Sequence, residues 1–251
     1  MDKERVQNNR PVVILVEPQL GENIGAVARA MLNCGLRELR LVRPRDGWPN
    51  PAAEAMASGA IEVLTSAEVF KQTKDAVWDL NRLFATTARQ RDLAKKVVTP
   101  NEAAKLFFNT EFEGNNIGFL FGPERSGLIN DDIALADYVI NVPLNPEFSS
   151  LNLAQAVLLV GYEWFQASVM QKKGSRKWGN SELSTIGERE YFYTRLEQHL
   201  NEAGFLYPEE LAPTICRNLR AMFSKATLTN QEIRTLHGIV TALSNYTPDS
   251  K

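Results

Sequence analysis

Apolar and polar positions alternate in blocks over the first two thirds of the chain. Residues 12–17 (VVILVE) form a β-branched run closed by Pro18, the pattern of a strand buried on both faces. Residues 23–33 place Ile24, Val27, Ala28, Met31 and Leu32 at helical spacing, with Asn23 as the expected N-cap and Gly35 as the stop. Further strand-like runs fall at 39–42, 62–64, 82–86, 117–121 and 138–142. Helix-like runs lie between them at 52–57, 67–74, 101–108 and 131–136, and a long one covers 151–170. Strands alternating with helices in this way predict an α/β fold with a parallel sheet.

The pattern then changes. Residues 171–181 (QKKGSRKWGNS) are polar and basic, and beyond them only helical periods remain, at 186–203, 208–223 and 230–243. Thr229 and Glu232 form a capping box for the last of these. The expected division is an α/β domain over 1–170, a linker over 171–184 and a small all-α extension over 185–251. A chain of 251 residues is long enough for one good core and such an extension.

Composition narrows the chemistry. With 28 basic and 30 acidic side chains the net charge is −2, so any nucleic-acid binding must rest on local patches. Cys34 and Cys216 are too isolated for a zinc site or a disulfide framework and read as small core residues. No metal is expected, and His199 and His237 receive no role. Trp164 and Trp178 read as packing residues. The polar start and the interruption of the apolar stretch 154–165 by Gln155 and Glu163 point to a cytoplasmic protein without a membrane partner.

Three segments stand out at strand ends, where ligands bind in open α/β sheets. The first is 23–29 (NIGAVAR), whose Arg29 lies off the apolar stripe. The second is 121–128 (FGPERSGL), a tight turn in which Gly122 would allow a ligand close to the backbone. The third is 142–154 (VPLNPEFSSLNLA), a loop entering the long helix with Ser149 or Ser150 as the expected N-cap. Each alone reads as an ordinary cap or turn. No P-loop and no dinucleotide fingerprint occurs.

Taken in this order, the three segments resemble the TrmH-like branch of the SPOUT superfamily over about residues 11–168. Asn23, Gly25 and Arg29 match its N-x-G-x-x-x-R pattern. Gly122, Glu124, Gly127 and Leu128 match G-x-E-x-x-G-L, and Ser150, Leu151 and Asn152 match the final Ser-Leu-Asn. Residues 86–91 (TTARQR) are similar to a loop of the TrmJ-type enzymes, which methylate the ribose at position thirty-two of the tRNA anticodon loop.

The resemblance implies a parallel sheet with a C-terminal trefoil knot, a homodimer, and 2′-O-methylation of tRNA at cytidine or uridine. It implies S-adenosylmethionine as cofactor, leaving as S-adenosylhomocysteine. Arg29, Asn23, Glu124, Ser150 and Asn152 become the expected catalytic group. Thr86, Thr87, Gly122, Glu124, Val142, Leu144, Ser150, Leu151 and Leu153 become the expected cofactor contacts. Arg89, Arg91, Lys172, Lys173, Arg217 and Arg220 become the expected RNA contacts. Because a guanidinium keeps its proton in proteins, Arg29 is expected to fix a phosphate and stabilise developing negative charge rather than act as a base. Another tRNA position or ribosomal RNA as substrate, and a non-catalytic RNA-binding protein of the same fold, remain open alternatives.

Overall fold

A computed structural model describes residues 10–87, 95–108, 116–170 and 182–245. The chain forms two compact units, Met1–Trp178 and Gly179–Lys251.

The first unit runs β1 (Val12–Val16), α1 (Gly21–Asn33), β2 (Leu39–Val42), α2 (Pro51–Ala57), α3 (Ile61–Thr65), β3 (Glu68–Phe70) and α4 (Thr73–Ala76). It continues with β4 (Arg82–Thr86), β5 (Lys96–Val98), α5 (Pro100–Phe107), β6 (Ile117–Phe121), α6 (Asn130–Leu135), β7 (Tyr138–Ile140) and α7 (Leu153–Met170). The seven strands lie in the order β3-β2-β1-β6-β4-β7-β5, and every pairing is parallel. β1, β2 and β6 are buried at every position, as their unbroken apolar runs require of strands covered on both faces. The chain steps outward from β1 to β3, then crosses to the far side of β6. The seam between β1 and β6 is therefore a topological switch point, the usual seat of a ligand in such sheets.

α1 packs on α2 and on α7, and α7 also on α5. Ile24, Val27, Ala28 and Met31 are buried as the helical spacing predicts, and Gly35 ends the helix at φ +72°. Cys34 is buried against α7, which pushes its thiol pKa up, whereas Cys216 in the second unit is only half-buried. Trp164 packs edge-on against Phe107.

Residues 62–64 are not a strand but the middle of α3: Val63 and Leu64 are buried side by side while Ile61 and Glu62 face out, a helical and not an alternating pattern. The expected helix at 67–74 divides into β3 and α4. β3 and β5 are the two edges of the sheet and expose most of their side chains, so their sequences carry no burial signal. Two arginines are buried within the strands themselves, Arg40 in β2 and Arg82 in β4. Arg40 Nη2 donates to Asp79 Oδ2 at 2.9 Å, and Arg82 Nη1 lies 3.5 Å from Asp137 Oδ1, whose Oδ2 accepts from the Leu83 amide at 2.9 Å.

The second unit holds α8 (Ile186–Glu202), α9 (Ala212–Ser224) and α10 (Asn230–Ser244). Its core is small: Phe192, Tyr193, Leu228, Ile233 and Val240, with Leu196, Phe223 and Leu236 at its margin. Both α8 and α10 start in capping boxes, Thr185 with Glu188 and Thr229 with Glu232. α9 begins later than the apolar pattern suggests, because Pro208–Leu211 form a separate turn. Among the described residues no helix is long and apolar enough to cross a membrane, and no group of three His, Cys, Asp or Glu residues could hold a metal.

Candidate active site

The site is assembled at the switch point from three loops. The first follows β1. Helix α1 begins at Gly21, one turn earlier than expected, because the Leu20 carbonyl already accepts from the Asn23 and Ile24 amides. Asn23 is therefore not the N-cap but a residue of the first turn, and its side chain is free to reach outward. Its Nδ2 donates to Glu124 Oε1 at 2.7 Å.

Glu124 lies in the turn after β6. Gly127 donates its amide to the Pro123 carbonyl at 2.8 Å and has φ +66°, which closes the turn. A Cβ on Gly122 would stand 2.3 Å from the Leu128 nitrogen. Glycine is thus demanded by the turn folding back on itself, not by the approach of a ligand alone. The other oxygen of Glu124, Oε2, accepts from the Gln19 amide at 3.0 Å.

The third loop precedes α7. Asn152 caps that helix: its Oδ1 accepts from the Ala154 amide at 2.8 Å, while its own amide donates to Gln155 Oε1 at 3.2 Å. Ser149 and Ser150 are exposed and stand before the cap, so neither is the N-cap. An amide can cap with its oxygen and still offer its nitrogen, which a serine hydroxyl does less well. Asn152 Nδ2 donates to Asn23 Oδ1 at 3.1 Å. The chain Ala154–Asn152–Asn23–Glu124 has one possible direction, because a backbone amide at one end only donates and a carboxylate at the other only accepts.

Beside this chain lies a cleft of about 330 Å³. All nine expected cofactor positions line it: Thr86, Thr87, Gly122, Glu124, Val142, Leu144, Ser150, Leu151 and Leu153. Phe121, Pro123, Arg125, Ser126, Gly127, Ile140, Ser149 and Ala156 complete the wall. Of these, Gly127 is a motif residue and Ser149 a cap candidate of the sequence; Phe121, Pro123, Arg125 and Ser126 lie in the same motif segments, whereas Ile140 and Ala156 fall outside them and carried no signal. Thr86 Oγ1 is already engaged, donating to the Leu120 carbonyl at 2.9 Å, and Asn141 Nδ2 ties the cleft floor to the Thr87 carbonyl at 3.3 Å.

Arg29 stands apart. It is exposed on α1, does not line the cleft, and makes no hydrogen bond or ion pair with any described residue. Arg89, Arg91, Lys172 and Lys173, with Trp178, lie outside the described residues. In the second unit Arg217 is exposed, with Nη2 donating to Thr214 Oγ1 at 3.1 Å. Arg220 is engaged internally. Its Nε and Nη1 meet Glu197 and Glu190 at 2.7 Å each, its guanidinium lies 5.4 Å from the Tyr193 ring centre, and the carboxylates raise its pKa. Arg217 and Arg220 lie three residues apart on α9, but the carboxylates of α8 that engage Arg220 were invisible to the sequence.

Comparison with known proteins identifies the family. Residues 10–162 match the SpoU rRNA Methylase family, and residues 187–250 match the C-terminal domain of the tRNA methyltransferase TrmJ. The chain is 35% identical to the tRNA (cytidine/uridine/adenosine-2′-O-)-methyltransferase TrmJ of Pseudomonas aeruginosa, over 91% of each chain. It superimposes on the crystal structure of TrmJ from Z. mobilis ZM4 with a TM-score of 0.83 and 50% identity, covering 94% of this chain and 99% of that one. The fold is shared with the more distant AviRb of Streptomyces viridochromogenes, solved with the cofactor AdoMet, at a TM-score of 0.53 and 19% identity over 67% of this chain and 63% of that one. The chain therefore belongs to the SpoU methylase family of the SPOUT superfamily, in its TrmJ-type branch.

Proposed function

We propose that this protein transfers a methyl group from S-adenosylmethionine to a ribose 2′-hydroxyl of tRNA, at the cytidine or uridine in position thirty-two. It acts in the cytoplasm, as a homodimer whose first unit is threaded as a trefoil knot. The observation that carries the reading is the hydrogen-bonded chain Asn152–Asn23–Glu124 along the rim of the cleft. The relatives' TrmJ names support the substrate class.

The residues present fit the cofactor. A cleft of about 330 Å³ lies in the range of small-molecule sites, about 300–1,000 Å³. Its wall joins apolar side chains such as Phe121, Leu144 and Leu153 to Thr87, Ser150, Glu124 and Arg125, a mixture suited to a nucleoside that also bears an ammonium, a carboxylate and a sulfonium. When bound, S-adenosylmethionine supplies a methyl group already activated by its sulfonium and leaves as S-adenosylhomocysteine.

The protein's own part is positioning. Asn152 and Ser150 orient the ribose at the mouth of the cleft. Asn23 and Glu124 fix the amide of Asn152, so that its remaining N–H has one direction. Arg29 is exposed and lies off its own protomer's cleft, so in the homodimer it serves the partner protomer's site, binding a phosphate there and stabilising the 2′-oxygen as negative charge develops. Arg217, with Arg89, Arg91, Lys172 and Lys173, adds cationic contacts to the tRNA body, and 185–251 serves as an RNA-binding extension. An exposed apolar stripe supports the homodimer reading. Leu158, Tyr162, Phe165 and Val169 of α7 recur at helix-pairing spacing and are 40–58% exposed, an apolar stripe that one protomer leaves uncovered.

Nucleoside-resolved mass spectrometry of unmodified bulk tRNA, incubated with protein and S-adenosylmethionine, tests the reading. A new 2′-O-methyl group in the anticodon loop is expected. Methylation at another site would move the substrate, and inert tRNA and ribosomal RNA would favour a binding module. Arg29→Lys is expected to lower kcat about 10²-fold, as loss of a transition-state donor does. Light scattering should give a dimer mass.

A further inference from the structure

The loop from Arg43 to Asn50, between β2 and α2, has no part in the chemistry above, yet it is built against the site. Gly25, the glycine of the first motif, shows how. A Cβ there would stand 2.2 Å from the Ala53 carbonyl oxygen, so α1 and α2 approach more closely than any side chain permits. Gly21 is closed in the same way by the side chain of Asn50, whose Oδ1 caps α2 by accepting from the Ala52 and Ala53 amides at 3.0 and 3.3 Å. Two glycines thus draw α2, and the loop before it, onto the start of α1.

The loop is then tied to the site. The Arg45 amide donates to the Pro18 carbonyl at 3.1 Å, and the next amide along, that of Gln19, donates to Glu124. Glu17 and Arg43, at the ends of β1 and β2, both have φ +47°, and their side chains pair at 2.9 Å. Two non-glycine residues in the left-handed region at adjacent strand ends are the kind of strain that gathers at functional edges.

What this arrangement presents is the side chain of Arg45. It is 54% exposed, and its described partner is the neighbouring, also exposed Asp46. The bond to Asp46 raises the guanidinium pKa, and the carboxylate of Glu124 stands near enough to raise it further. A strand that brings a ribose to Asn152 must carry its phosphates past Glu124, which repels them. A planar fork of N–H donors at that point offsets the carboxylate and matches a phosphate.

We infer that Arg45 is a substrate-binding residue, holding a phosphodiester next to the ribose at Asn152, and that Gly25 stands in the motif to bring it there. The inference rests on the proposed tRNA substrate.

The test uses the full chain with Arg45→Ala and Arg45→Lys. Binding of a tRNA transcript is followed by anisotropy across a salt series, beside S-adenosylmethionine affinity and methylation rate. For Arg45→Ala the slope of log affinity against log salt is expected to fall by about 0.7, one phosphate. KM for tRNA should rise about tenfold, with kcat and cofactor affinity within about twofold of wild type. Arg45→Lys should restore the salt slope and only part of the KM, because an ammonium keeps the charge and loses the fork. A wild-type slope and KM in Arg45→Ala would overturn the inference. So would a parallel loss of cofactor affinity, which would make Arg45 a prop for the Glu124 turn. A wild-type protein that binds tRNA with an Arg45-dependent slope yet leaves no 2′-O-methyl group would break the proposed function alone. Methylation with an Arg45-independent slope would break the inference alone.

Discussion

The two units are stabilised by different physics. The α/β unit buries whole strands, and its core joins β1, β2, β4 and β6 to α1 and α7 in one apolar cluster. The helical unit has a handful of core side chains, and α9 contains no fully buried residue. There the packing is completed by directional contacts: two capping boxes, Phe192 edge-on to Phe223 at 5.1 Å, and Arg220 between Glu190 and Glu197. Apolar burial holds no charge for salt to screen or pH to titrate. A partly wet ionic network is sensitive to both.

The contrast can be broken at three points. The largest effect is expected inside the α/β unit, where Asp137 and Arg82 have side chains only 3% and 1% exposed. Asp137→Ala leaves a buried guanidinium short of its carboxylate and should cost about 3–5 kcal/mol. Hydrogen exchange in β4 and β7 should accelerate, independently of salt; a loss under about 1 kcal/mol would mean that solvent reaches the pair. Next comes Arg220→Ala. Its side chain is 26% exposed, so the loss should be smaller, about 1–2 kcal/mol, confined to the helical unit and reduced by added salt. Replacing Arg220, Glu190 and Glu197 together by Met and Leu should recover most of it. If it does not, the network is more than an expensive substitute for packing.

The smallest effect is a pH dependence. Partial burial and the nearby Arg195 hold the His237 pKa below the ordinary imidazole value. The folded unit therefore prefers neutral His237, while the unfolded chain takes up a proton near pH 6.5. Stability should be full above that pH, decline as pH falls through it, and level off below the folded pKa. His237→Asn should flatten this slope in unit-resolved exchange, with no change in the α/β unit.

The same contrast explains what could be read from sequence. Strands covered on both faces announce themselves: β2 and β6 lie where their apolar runs fall, and β1 differs by one residue. Edge strands do not. Glu68 and Val69 of β3 and Lys96 and Val97 of β5 face solvent, so only pairing to a neighbour makes them strands. In the site, the motif residues were legible as types but not as partners. Asn23 looked like a cap because asparagine caps helices well, yet the helix starts before it and its side chain turns to Glu124. Asn152 looked like a site residue and is also the cap. Gly122 looked like room for a ligand and Gly25 only like a motif position, but their neighbours are the backbones of Leu128 and Ala53. Contacts between segments so far apart along the chain leave no local period to read.

That separation has a temporal side. The bond from Asn152 to Asn23 joins residues 129 apart, and the one from Asn23 to Glu124 joins residues 101 apart. Loops of this length close late and slowly, after local helices and hairpins have had ample time to form. A chain emerging from the ribosome carries the first motif long before the third has been synthesised. The rim of the cleft is then not a seed on which the domain condenses but one of its last joints. Binding of a small molecule there would report that folding is finished, and would add its free energy to the completed state alone.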